Sequence, residues 1–255
     1  MNDRRAAGGL LGRLRPRRSD PPAATGGEQP TLALGPLLEW LGRRQGARVV
    51  DLGPAHGDNL SLLSRYGCRI EFLDLYSQIW EAGHANPHAE LERTQRLVER
   101  MLDIGAPERT DSDEAEPAAG DAPRTAQSVR GRRREAVDLI LFWDLINYMI
   151  PAQIEGLYRA LTPLLGSGTR AFLLLAHSPQ LPLHPRRLRF AGADRLVWDE
   201  QAPTVRPCPQ YSEHRLHKMF PDFTVERSFL MRHGVREYLL AIPETREQSI
   251  VRIPR

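Results

Sequence analysis

Apolar residues follow two different periods along the chain. Four short runs are rich in branched or aromatic residues and nearly continuous, as in strands that are covered on both faces. They are ARVVDL (47–52), CRIEFLDL (68–75), AVDLILFW (136–143) and RAFLLLAH (170–177). Four further segments have apolar side chains at helical spacing. These are residues 34–41, 59–66, 89–101 and 152–165. Strands that alternate with helices predict a three-layer, doubly wound α/β fold with a parallel sheet.

The end of the chain has a different pattern. FTVERSFLM (223–231) and VREYLLAI (235–242) are two β runs joined by a short link that contains a glycine. A link of this length joins antiparallel neighbours only. We therefore predict a mostly parallel sheet that is completed by an antiparallel C-terminal hairpin, which differs from the plain dinucleotide dehydrogenase arrangement.

Breaks in composition delimit the patterned region. Residues 1–30 hold many Arg, Pro and Gly residues and few large apolar ones, which predicts a disordered tail. Residues 105–135 begin acidic and end in an arginine cluster, which predicts a disordered, charged surface insert. Binding of a phosphate or a partner by that cluster is the alternative interpretation. The folded domain is then expected over 31–247, with 248–255 as a C-terminal tail.

Composition predicts a soluble globular protein. Of the 255 residues, 41% are hydrophobic and 26% are charged, which excludes collagen-like, disulfide-scaffold and wholly disordered chains. No run approaches the roughly 18 apolar residues that a membrane-spanning helix needs, so we expect no membrane span and a cytoplasmic location. Cys68 and Cys208 are too far apart for a CxxC pair, and no metal site is predicted. A formal net charge of +3 gives no strong signal for nucleic acid, and nothing indicates an oligomeric state.

The most informative segment is VVDLGPAHGDN (49–59). After a strand and an acidic residue it places Gly53, Ala55 and Gly57 at alternate positions, and a helix follows. Small residues let the backbone approach a ligand closely, and the helix N-terminus supplies free N–H groups. The second strand ends, about twenty residues later, in Asp74, where a carboxylate can accept both hydroxyls of a ribose.

Together with the terminal hairpin, these residues resemble the class I S-adenosylmethionine-dependent methyltransferases over most of 35–245. DLGPAHG stands where that family has its D-x-G-x-G-x-G cofactor loop, and FLDLY carries the ribose-binding acid. MLDI (101–104) resembles the segment that holds the adenine. VDLILFWDLINYM (137–149) resembles the fourth-strand motif that borders the methyl-transfer site. The resemblance implies a Rossmann-like, seven-stranded sheet and S-adenosylmethionine as the cofactor.

Carried over to this chain, the resemblance assigns the loop to the methionine and ribose part of the cofactor. Gly53, Ala55 and Gly57 would line that part, although Ala55 stands where the family has its middle glycine. Asp51 would order the loop and help to receive the amino end of the cofactor. The competing interpretation is that Gly53 and Gly57 only form a tight strand–helix turn.

The resemblance assigns the remaining cofactor contacts to residues that follow the predicted strands and helices. Asp74 would bind the ribose hydroxyls, and Asp103 with Ile104 would hold the adenine. Trp143 and Asp144 would face the sulfonium, because an aromatic face and a negative charge both attract a cation. The alternatives are that Asp74 caps a turn, that Trp143 belongs to the core, and that Asp144 is a helix N-cap.

The resemblance implies methyl transfer from S-adenosylmethionine to an acceptor. The sulfonium is already activated, so the protein acts by in-line positioning, with a base where the acceptor carries a proton. The candidate catalytic residues are His177 after strand five and Asp144 after strand four, and His56 in the loop is an alternative base. Either histidine is otherwise solvated or structural. No N/D-P-P-Y signature follows strand four, which disfavours DNA or protein amide nitrogen and leaves an unidentified small molecule as the predicted acceptor.

The acceptor side is predicted to be formed by residues 178–218. Within it, the segment RLRFAGADRLVW (187–198) predicts an extra hairpin over the site. Arg186, Arg187 and Arg189 would meet an anionic substrate or, in the alternative, form an exposed edge. This part of the chain determines which acceptor the protein takes, and the sequence does not identify it.

Two other functions compete with that of an active methyltransferase. The altered loop and the missing third-strand signal also suit a non-catalytic methyltransferase-like binding or regulatory module. A protein of the Rossmann class that binds NAD or a nucleotide sugar also has an acid after its second strand. The terminal antiparallel hairpin counts against that last class, and the sequence favours an enzyme.

Overall fold

The computed structural model of the chain describes residues 26–79, 86–103, 135–199, 204–231 and 234–244. The predicted insert 105–135 lies outside these residues except for Glu135, and the predicted tail 248–255 lies outside them entirely. Part of the predicted N-terminal tail is described, and Gly27–Pro30 form a strand, β1. This strand pairs with a later one. Regular structure thus begins before the predicted boundary at residue 31, because backbone pairing does not require large apolar side chains.

Every run predicted as a helix or a strand overlaps an element of that type. After β1 the elements are α1 (Leu34–Gly42), β2 (Arg48–Asp51), α2 (Gly57–Ser64), β3 (Arg69–Phe72), α3 (Leu75–Ile79), α4 (Pro87–Met101), β4 (Leu139–Trp143), α5 (Pro151–Leu161), β5 (Arg170–Ala176), β6 (Gln180–Pro182), β7 (Leu188–Phe190), β8 (Arg195–Trp198), β9 (Val205–Pro207), α6 (Glu213–Met219), β10 (Thr224–Leu230) and β11 (Val235–Ala241). Two short 3-10 turns cover Leu145–Tyr148 and Thr162–Leu164.

A mostly parallel central sheet organises this α/β fold. Its strand order is β10-β11-β5-β4-β2-β3. The pairs β2–β3, β2–β4 and β4–β5 are parallel, whereas β11 is antiparallel to both β5 and β10. Over the described residues the sheet has six strands, where seven were predicted. The sequence contains no clear signal for a third strand, and residues 104–134, between α4 and β4, lie outside the described stretches.

The strand β4 lies in the interior of the domain. All five of its residues are buried, as its uninterrupted apolar sequence predicted. The ring of Phe142 meets Phe220, which follows α6, edge to face with centroids 5.3 Å apart. The ring of Trp143 meets Phe172 of β5 in the same way at 5.9 Å. The carboxyl end of β4 is therefore fixed by aromatic packing as well as by the backbone ladder.

The helices α4 and α5 pack directly against each other through a glycine. A Cβ atom added at Gly156 would lie 2.3 Å from the carbonyl oxygen of Leu91 and 3.1 Å from the backbone nitrogen of Gln95. Only a residue without a side chain permits this approach of the two backbones. The pairing of the two helices thus depends on one position of α5.

A second, smaller sheet lies beside the first, and we call β1, β8 and β7 the cap sheet. The strand β8 pairs antiparallel with both β1 and β7. The pairing of β7 with β8 confirms the hairpin predicted from RLRFAGADRLVW. A two-stranded antiparallel pair, β6 with β9, is formed by the same part of the chain. Since β7 hydrogen-bonds to α2 through Phe190 and Asn59, the cap sheet is tied to the helix that follows β2.

Candidate functional site

The predicted site residues gather at the carboxyl edge of the parallel strands. The loop that contains Gly53 follows β2, Asp74 lies just beyond β3, and Asp144 comes directly after β4. Because parallel strands end at the same edge of a sheet, these residues are brought near one another. Two hydrogen bonds join them across the edge. The N–H of Asp74 donates to the carbonyl oxygen of Gly53 at 3.2 Å, and the indole Nε1 of Trp143 donates to Asp51 Oδ1 at 2.6 Å.

Asp51 is the central acceptor of this arrangement. Its residue is 0% exposed, and besides the indole its Oδ1 accepts from Gly53 N at 2.9 Å. Its Oδ2 accepts from Asn59 Nδ2 at 3.4 Å. Burial raises the pKa of Asp51 from 3.8 to about 6, against the opposing effect of these three hydrogen bonds. The carboxylate orders the loop through Gly53, and in this conformation protein donors surround it instead of a ligand's amino group.

Trp143 fills the space above the first glycine of the loop. A Cβ atom at Gly53 would lie 3.1 Å from Cδ1 of the indole and 3.2 Å from its Nε1. The Trp143 residue is 1% exposed, and its ring lies 4.8 Å from that of Phe190 in the cap sheet. Its backbone has a φ of +52°, which is rare for a bulky residue. In this conformation Trp143 belongs to the core, the alternative named from the sequence.

The other half of the loop is open. Ala55 and Gly57 are exposed, and a Cβ atom at Gly57 would have no neighbour within 4 Å. Asp74 is half-buried and has a φ of +39°, in the left-handed region that Asp tolerates better than most residues. Within the described stretches no group donates a hydrogen bond to its carboxylate. Asp74 is consequently able to accept hydrogen bonds from a ligand.

The N-cap of α2 is a histidine that the sequence suggested as an alternative base. His56 is the N-cap, and its Nδ1 accepts from the backbone N–H of Asp58 at 3.2 Å. Asn59, in the first turn of α2, is fully buried and its side chain joins two other parts of the fold. Its Nδ2 faces Asp51, and its Oδ1 accepts from the N–H of Phe190 at 2.9 Å. Sequence reasoning missed this role, although the position of Asn59 directly behind the glycine loop was the available signal.

Asp144 is buried and hydrogen-bonded. It is 8% exposed, and its Oδ1 accepts from the hydroxyl of Tyr76 at 2.7 Å. Its Oδ2 accepts from the backbone N–H of Arg186 at 3.4 Å. Burial raises the pKa of Asp144 above its ordinary value. Asp144 does occupy the N-cap position of the 3-10 turn Leu145–Tyr148, but its side chain makes no capping hydrogen bond. Tyr76 was not among the residues predicted for the site.

The other predicted residues lie at the ends of different elements. Asp103 follows α4 with a φ of +53°, an ordinary way for a helix to end, and its N–H donates to the carbonyl oxygen of Arg100 at 3.1 Å. Ile104 lies outside the described residues. His177 follows β5, is exposed, and donates its backbone N–H to the carbonyl oxygen of Gly234. Neither Asp103 nor His177 is joined by these bonds to the group around Asp51.

Two of the three arginines predicted for the acceptor side have protein partners. Arg186 lies over the ring of Trp198 with its guanidinium carbon 4.9 Å from the centroid. Arg189 forms ion pairs with Asp199 at 2.5 Å and with Asp58 at 3.3 Å. The ion pair between Arg189 and Asp58 ties the cap sheet to the start of α2. They make Arg186 and Arg189 parts of the structure around the site.

Among the described residues, no group of three or more His, Cys, Asp or Glu side chains is placed to hold a metal ion. In the same stretches, no helix is both long enough and apolar enough to cross a membrane.

Comparisons with known proteins give structural likenesses only. No family model matches the chain, and no curated protein matches it. The PH0226 protein from Pyrococcus horikoshii OT3 is 15% identical, with a TM-score of 0.43 over 82% of this chain and 87% of that one. The glycopeptide N-methyltransferase MtfA, complexed with S-adenosyl-L-methionine, is 13% identical, with a TM-score of 0.36 over 82% and 94%.

A third solved structure is an N-methyltransferase as well. NodS from Bradyrhizobium japonicum WM9 is 12% identical to this chain, with a TM-score of 0.39 over 83% of this chain and 95% of that one. Solved structures that resemble the chain thus include S-adenosylmethionine-dependent methyltransferases. At these identities and TM-scores, the likeness says nothing about the reaction or the substrate of this chain.

Proposed function

We propose that the chain binds S-adenosylmethionine at the carboxyl edge of its sheet and transfers the methyl group to a small-molecule acceptor. The observation that carries the proposal is the placement of Asp74 beside the glycine loop. The hydrogen bond from Asp74 N–H to the carbonyl oxygen of Gly53 holds the acid and the loop together. A carboxylate that accepts nothing from the described residues suits the two neighbouring hydroxyls of a ribose.

The adenosine end of the cofactor fits the open half of the loop. Exposed Ala55 and Gly57 leave backbone accessible to a ligand, and Asp74 accepts from the ribose. Asp103 with Ile104 would hold the adenine, as the resemblance implies. The amino-acid end meets a different surface, because the indole of Trp143 covers Gly53 in this conformation. The open half of the loop and Asp74 thus suit the ribose without rearrangement, whereas the amino-acid end of the cofactor requires Trp143 to move.

When bound, the cofactor supplies a methyl group that is already activated by the sulfonium. The chain's own task is to orient the acceptor and exclude water, which accounts for large rate enhancements in bimolecular reactions. The cap sheet, which contacts α2 through Asn59 and Phe190, would form one wall of the acceptor site. Exposed His177 at the end of β5 is the proposed base for an acceptor that carries a proton, and buried Asp144 is a candidate for electrostatic support.

The proposed acceptor is a small molecule. The chain continues from β4 as Trp143-Asp144-Leu145-Ile146, without the N/D-P-P-Y signature expected for methylation of DNA or protein amide nitrogen. The end of β4 is also packed tightly against the cap sheet, because the rings of Trp143 and Phe190 lie 4.8 Å apart. Both observations support an acceptor that is smaller than a macromolecular chain.

A non-catalytic binding module is the second candidate, and one observation favours it. Asp51 accepts three hydrogen bonds from protein groups, and the indole of Trp143 closes the methionine side of the loop. A protein that only binds an adenosyl compound, without converting it, needs Asp74 and the open half of the glycine loop and no access to Asp51. Binding and turnover must therefore be measured separately.

Calorimetric titration tests the binding. The probes are S-adenosylmethionine, S-adenosylhomocysteine and NADH, added to the wild type, to Asp74→Ala and to Glu71→Ala. The last variant is a control that removes an exposed carboxylate from β3, three residues before Asp74. We expect both adenosyl compounds to bind and NADH not to bind. Loss of a hydrogen bond to a charged group weakens binding about tenfold or more, so Asp74→Ala should show that loss and Glu71→Ala should not. Equal affinity in the two variants would show the ribose assignment to be wrong.

Turnover distinguishes an enzyme from a binding module. The wild type is incubated with S-adenosylmethionine and a fractionated extract of small molecules, and S-adenosylhomocysteine is measured by mass spectrometry. An enzyme forms this product only in fractions that contain an acceptor, and Asp74→Ala forms less of it at subsaturating cofactor. Tight binding without product in any fraction would favour the non-catalytic module.

A further inference from the structure

The glycine loop after β2 has a closed half and an open half. On the closed side, the Asp51 carboxylate is fully buried, and the indole of Trp143 lies against Gly53. On the open side, Gly57 has free space where a side chain would stand, and Asp74 presents a carboxylate that no described residue engages. A ligand that extends along the whole loop therefore meets an accessible surface at one end and an indole ring at the other.

Three contacts hold the indole of Trp143 in this place. Its Nε1 donates to Asp51 Oδ1 at 2.6 Å, and its ring packs against Phe172 of β5 and Phe190 of the cap sheet. Its backbone φ of +52° is disfavoured for a bulky residue and persists only where the surroundings impose it. The residue is thus held by these contacts in a backbone conformation that is disfavoured for its side chain, and the hydrogen bond to Asp51 is the one of them that a ligand with its own donor can replace.

We propose that Trp143 is a gate that determines which adenosyl ligands the site accepts, and this inference rests on the proposed function. The closed conformation admits the adenosine end of a ligand at Asp74. The indole must leave Gly53 before a methionyl or homocysteinyl end reaches Asp51. Trp143 therefore disfavours the longer ligands relative to adenosine.

The exchange at Asp51 explains how such a ligand opens the gate. The carboxylate gives up a neutral indole N–H donor and gains the ammonium group of the amino acid. Both bonds have the carboxylate as acceptor, but the ammonium group carries a full positive charge, whose Coulomb attraction to a buried carboxylate exceeds that of an N–H dipole. Ligands with an ammonium group thus bind the open conformation better than the closed one, which is the differential affinity that a conformational shift requires. Adenosine has no ammonium group and leaves the gate closed.

The apparent affinity for a long ligand is reduced by the fraction of molecules whose gate is closed. Replacing Trp143 by glycine removes the indole and also suits the positive φ. We expect Trp143→Gly to raise the preference for S-adenosylhomocysteine over adenosine at least tenfold, with the affinity for adenosine changed less than twofold. Trp143→Phe keeps a six-membered ring in the core and removes the five-membered part of the indole, which carries the N–H and the atoms that cover Gly53. It should also raise the preference for S-adenosylhomocysteine over adenosine, by a smaller factor. This variant tests the proposal if the glycine variant does not fold.

The test is calorimetry with adenosine and S-adenosylhomocysteine on the wild type, both Trp143 variants, and Trp198→Phe as a control that alters a tryptophan of the cap sheet. Tryptophan fluorescence gives a second measurement. S-adenosylhomocysteine should shift the wild-type emission to longer wavelength as Trp143 leaves the core, and adenosine should not. The shift should persist in Trp198→Phe and be absent from Trp143→Phe.

The outcomes separate this inference from the proposed function. If both ligands bind but the ratio is unchanged or falls in the Trp143 variants, the gate is refuted and the binding site stands. A fall would mean that the indole contacts the ligand favourably. If neither ligand binds the wild type or any variant, the proposed function fails and the gate fails with it.

Discussion

The indole nitrogen of Trp143 donates a hydrogen bond to the carboxylate of Asp51, 92 positions earlier in the sequence. This bond joins the end of β4 to the end of β2 in the interior of the domain. It places a titratable group that carries no exposed surface at the centre of the candidate site. The protonation state of Asp51 is therefore coupled to the stability of the folded chain.

The raised pKa of Asp51 predicts a particular dependence of stability on pH. The folded state holds this proton up to about pH 6, whereas an unfolded aspartate releases it near pH 3.8. The folded state thus binds more protons between those values, and stability must fall as the pH rises through that window. A shift of this size corresponds to a loss on the order of 3 kcal/mol, with no further loss from Asp51 above about pH 7.

Urea unfolding of the wild type and Asp51→Asn between pH 4 and pH 8 measures this effect. As the pH rises from 4 to 6, the unfolding free energy of the wild type should fall relative to that of Asp51→Asn. Above about pH 6 to 7 the difference between the two proteins should become constant. Asp144 and Glu237 also have raised pKa values because of burial, but their contributions are present in both proteins. A difference that does not vary with pH would show that Asp51 titrates normally.

The amide of Asn59 is predicted to stabilise both the glycine loop and the cap sheet. In Asn59→Ala, Phe190 N–H and one oxygen of Asp51 lose a hydrogen-bond partner in a buried environment. Leaving such buried groups without a hydrogen-bond partner lowers the free energy of unfolding by about 1–3 kcal/mol, which urea unfolding measures. Hydrogen exchange of the Phe190 amide should also become faster. Asp58→Ala, at the preceding residue, is the matched control, because the exposed ion pair of Asp58 with Arg189 is worth about 1 kcal/mol or less. Equal losses in the two variants would contradict this role of Asn59.

The local parts of the fold and site could be predicted from the sequence. Asp51 and Gly53 are two positions apart, and the alternation of small residues after a strand is enough to indicate the loop between β2 and α2. Asp74 follows the next apolar run, so the parallel arrangement alone places it at the same edge. Strand periodicity and turn residues are short-range signals, and these are the signals that a single sequence carries.

The contacts that close the site could not be predicted in this way. Trp143 packs on Gly53, and Phe190 packs on Trp143, although these residues are far apart in the chain. Their meeting depends on the packing of β4 and of the cap sheet, which no local pattern specifies. The same holds for β1, whose sequence GEQP has no strand periodicity and is ordered by pairing with β8. Long-range packing, and not the local sequence pattern, determines these features.

The glycine between α4 and α5 gives a prediction that is independent of any ligand. In Gly156→Ala the new Cβ atom would meet the carbonyl oxygen of Leu91 at 2.3 Å, a distance that requires the two helices to separate. Such overpacking costs about 1–3 kcal/mol and exceeds the helix-propensity gain of about 1 kcal/mol. Urea unfolding should therefore show a net loss of stability.

Gly35→Ala in α1 is the matched control, because a Cβ atom there has no neighbour within 4 Å. Alanine is favoured over glycine inside a helix by about 1 kcal/mol, so this variant should be unchanged or slightly more stable. If Gly156→Ala gained stability as Gly35→Ala does, the close packing of α4 on α5 would be refuted.

Glu237 of β11 anchors the link between β1 and α1. It is 0% exposed, and its Oε2 accepts from the N–H groups of Leu32 and Ala33 at 2.8 and 2.9 Å. Its Oε1 has no partner among the described residues, and desolvation raises the pKa of Glu237 above its ordinary 4.5. A proton on Oε1 therefore removes a buried charge without disturbing the two bonds to Oε2.

Glu237→Gln mimics that protonated form, and Glu237→Leu removes both acceptors. As the pH rises through the raised pKa, the folded state of the wild type must release a proton that it binds more tightly than the unfolded state, so its stability falls. The glutamine variant lacks this loss and should equal or exceed the wild type at pH 8. The leucine variant leaves two N–H groups unmet and should lose about 1–3 kcal/mol. Limited proteolysis should also cut it faster between β1 and α1. If the glutamine variant were as unstable as the leucine variant, the negative charge of Glu237, and not its hydrogen bonds alone, would be what stabilises the link between β1 and α1.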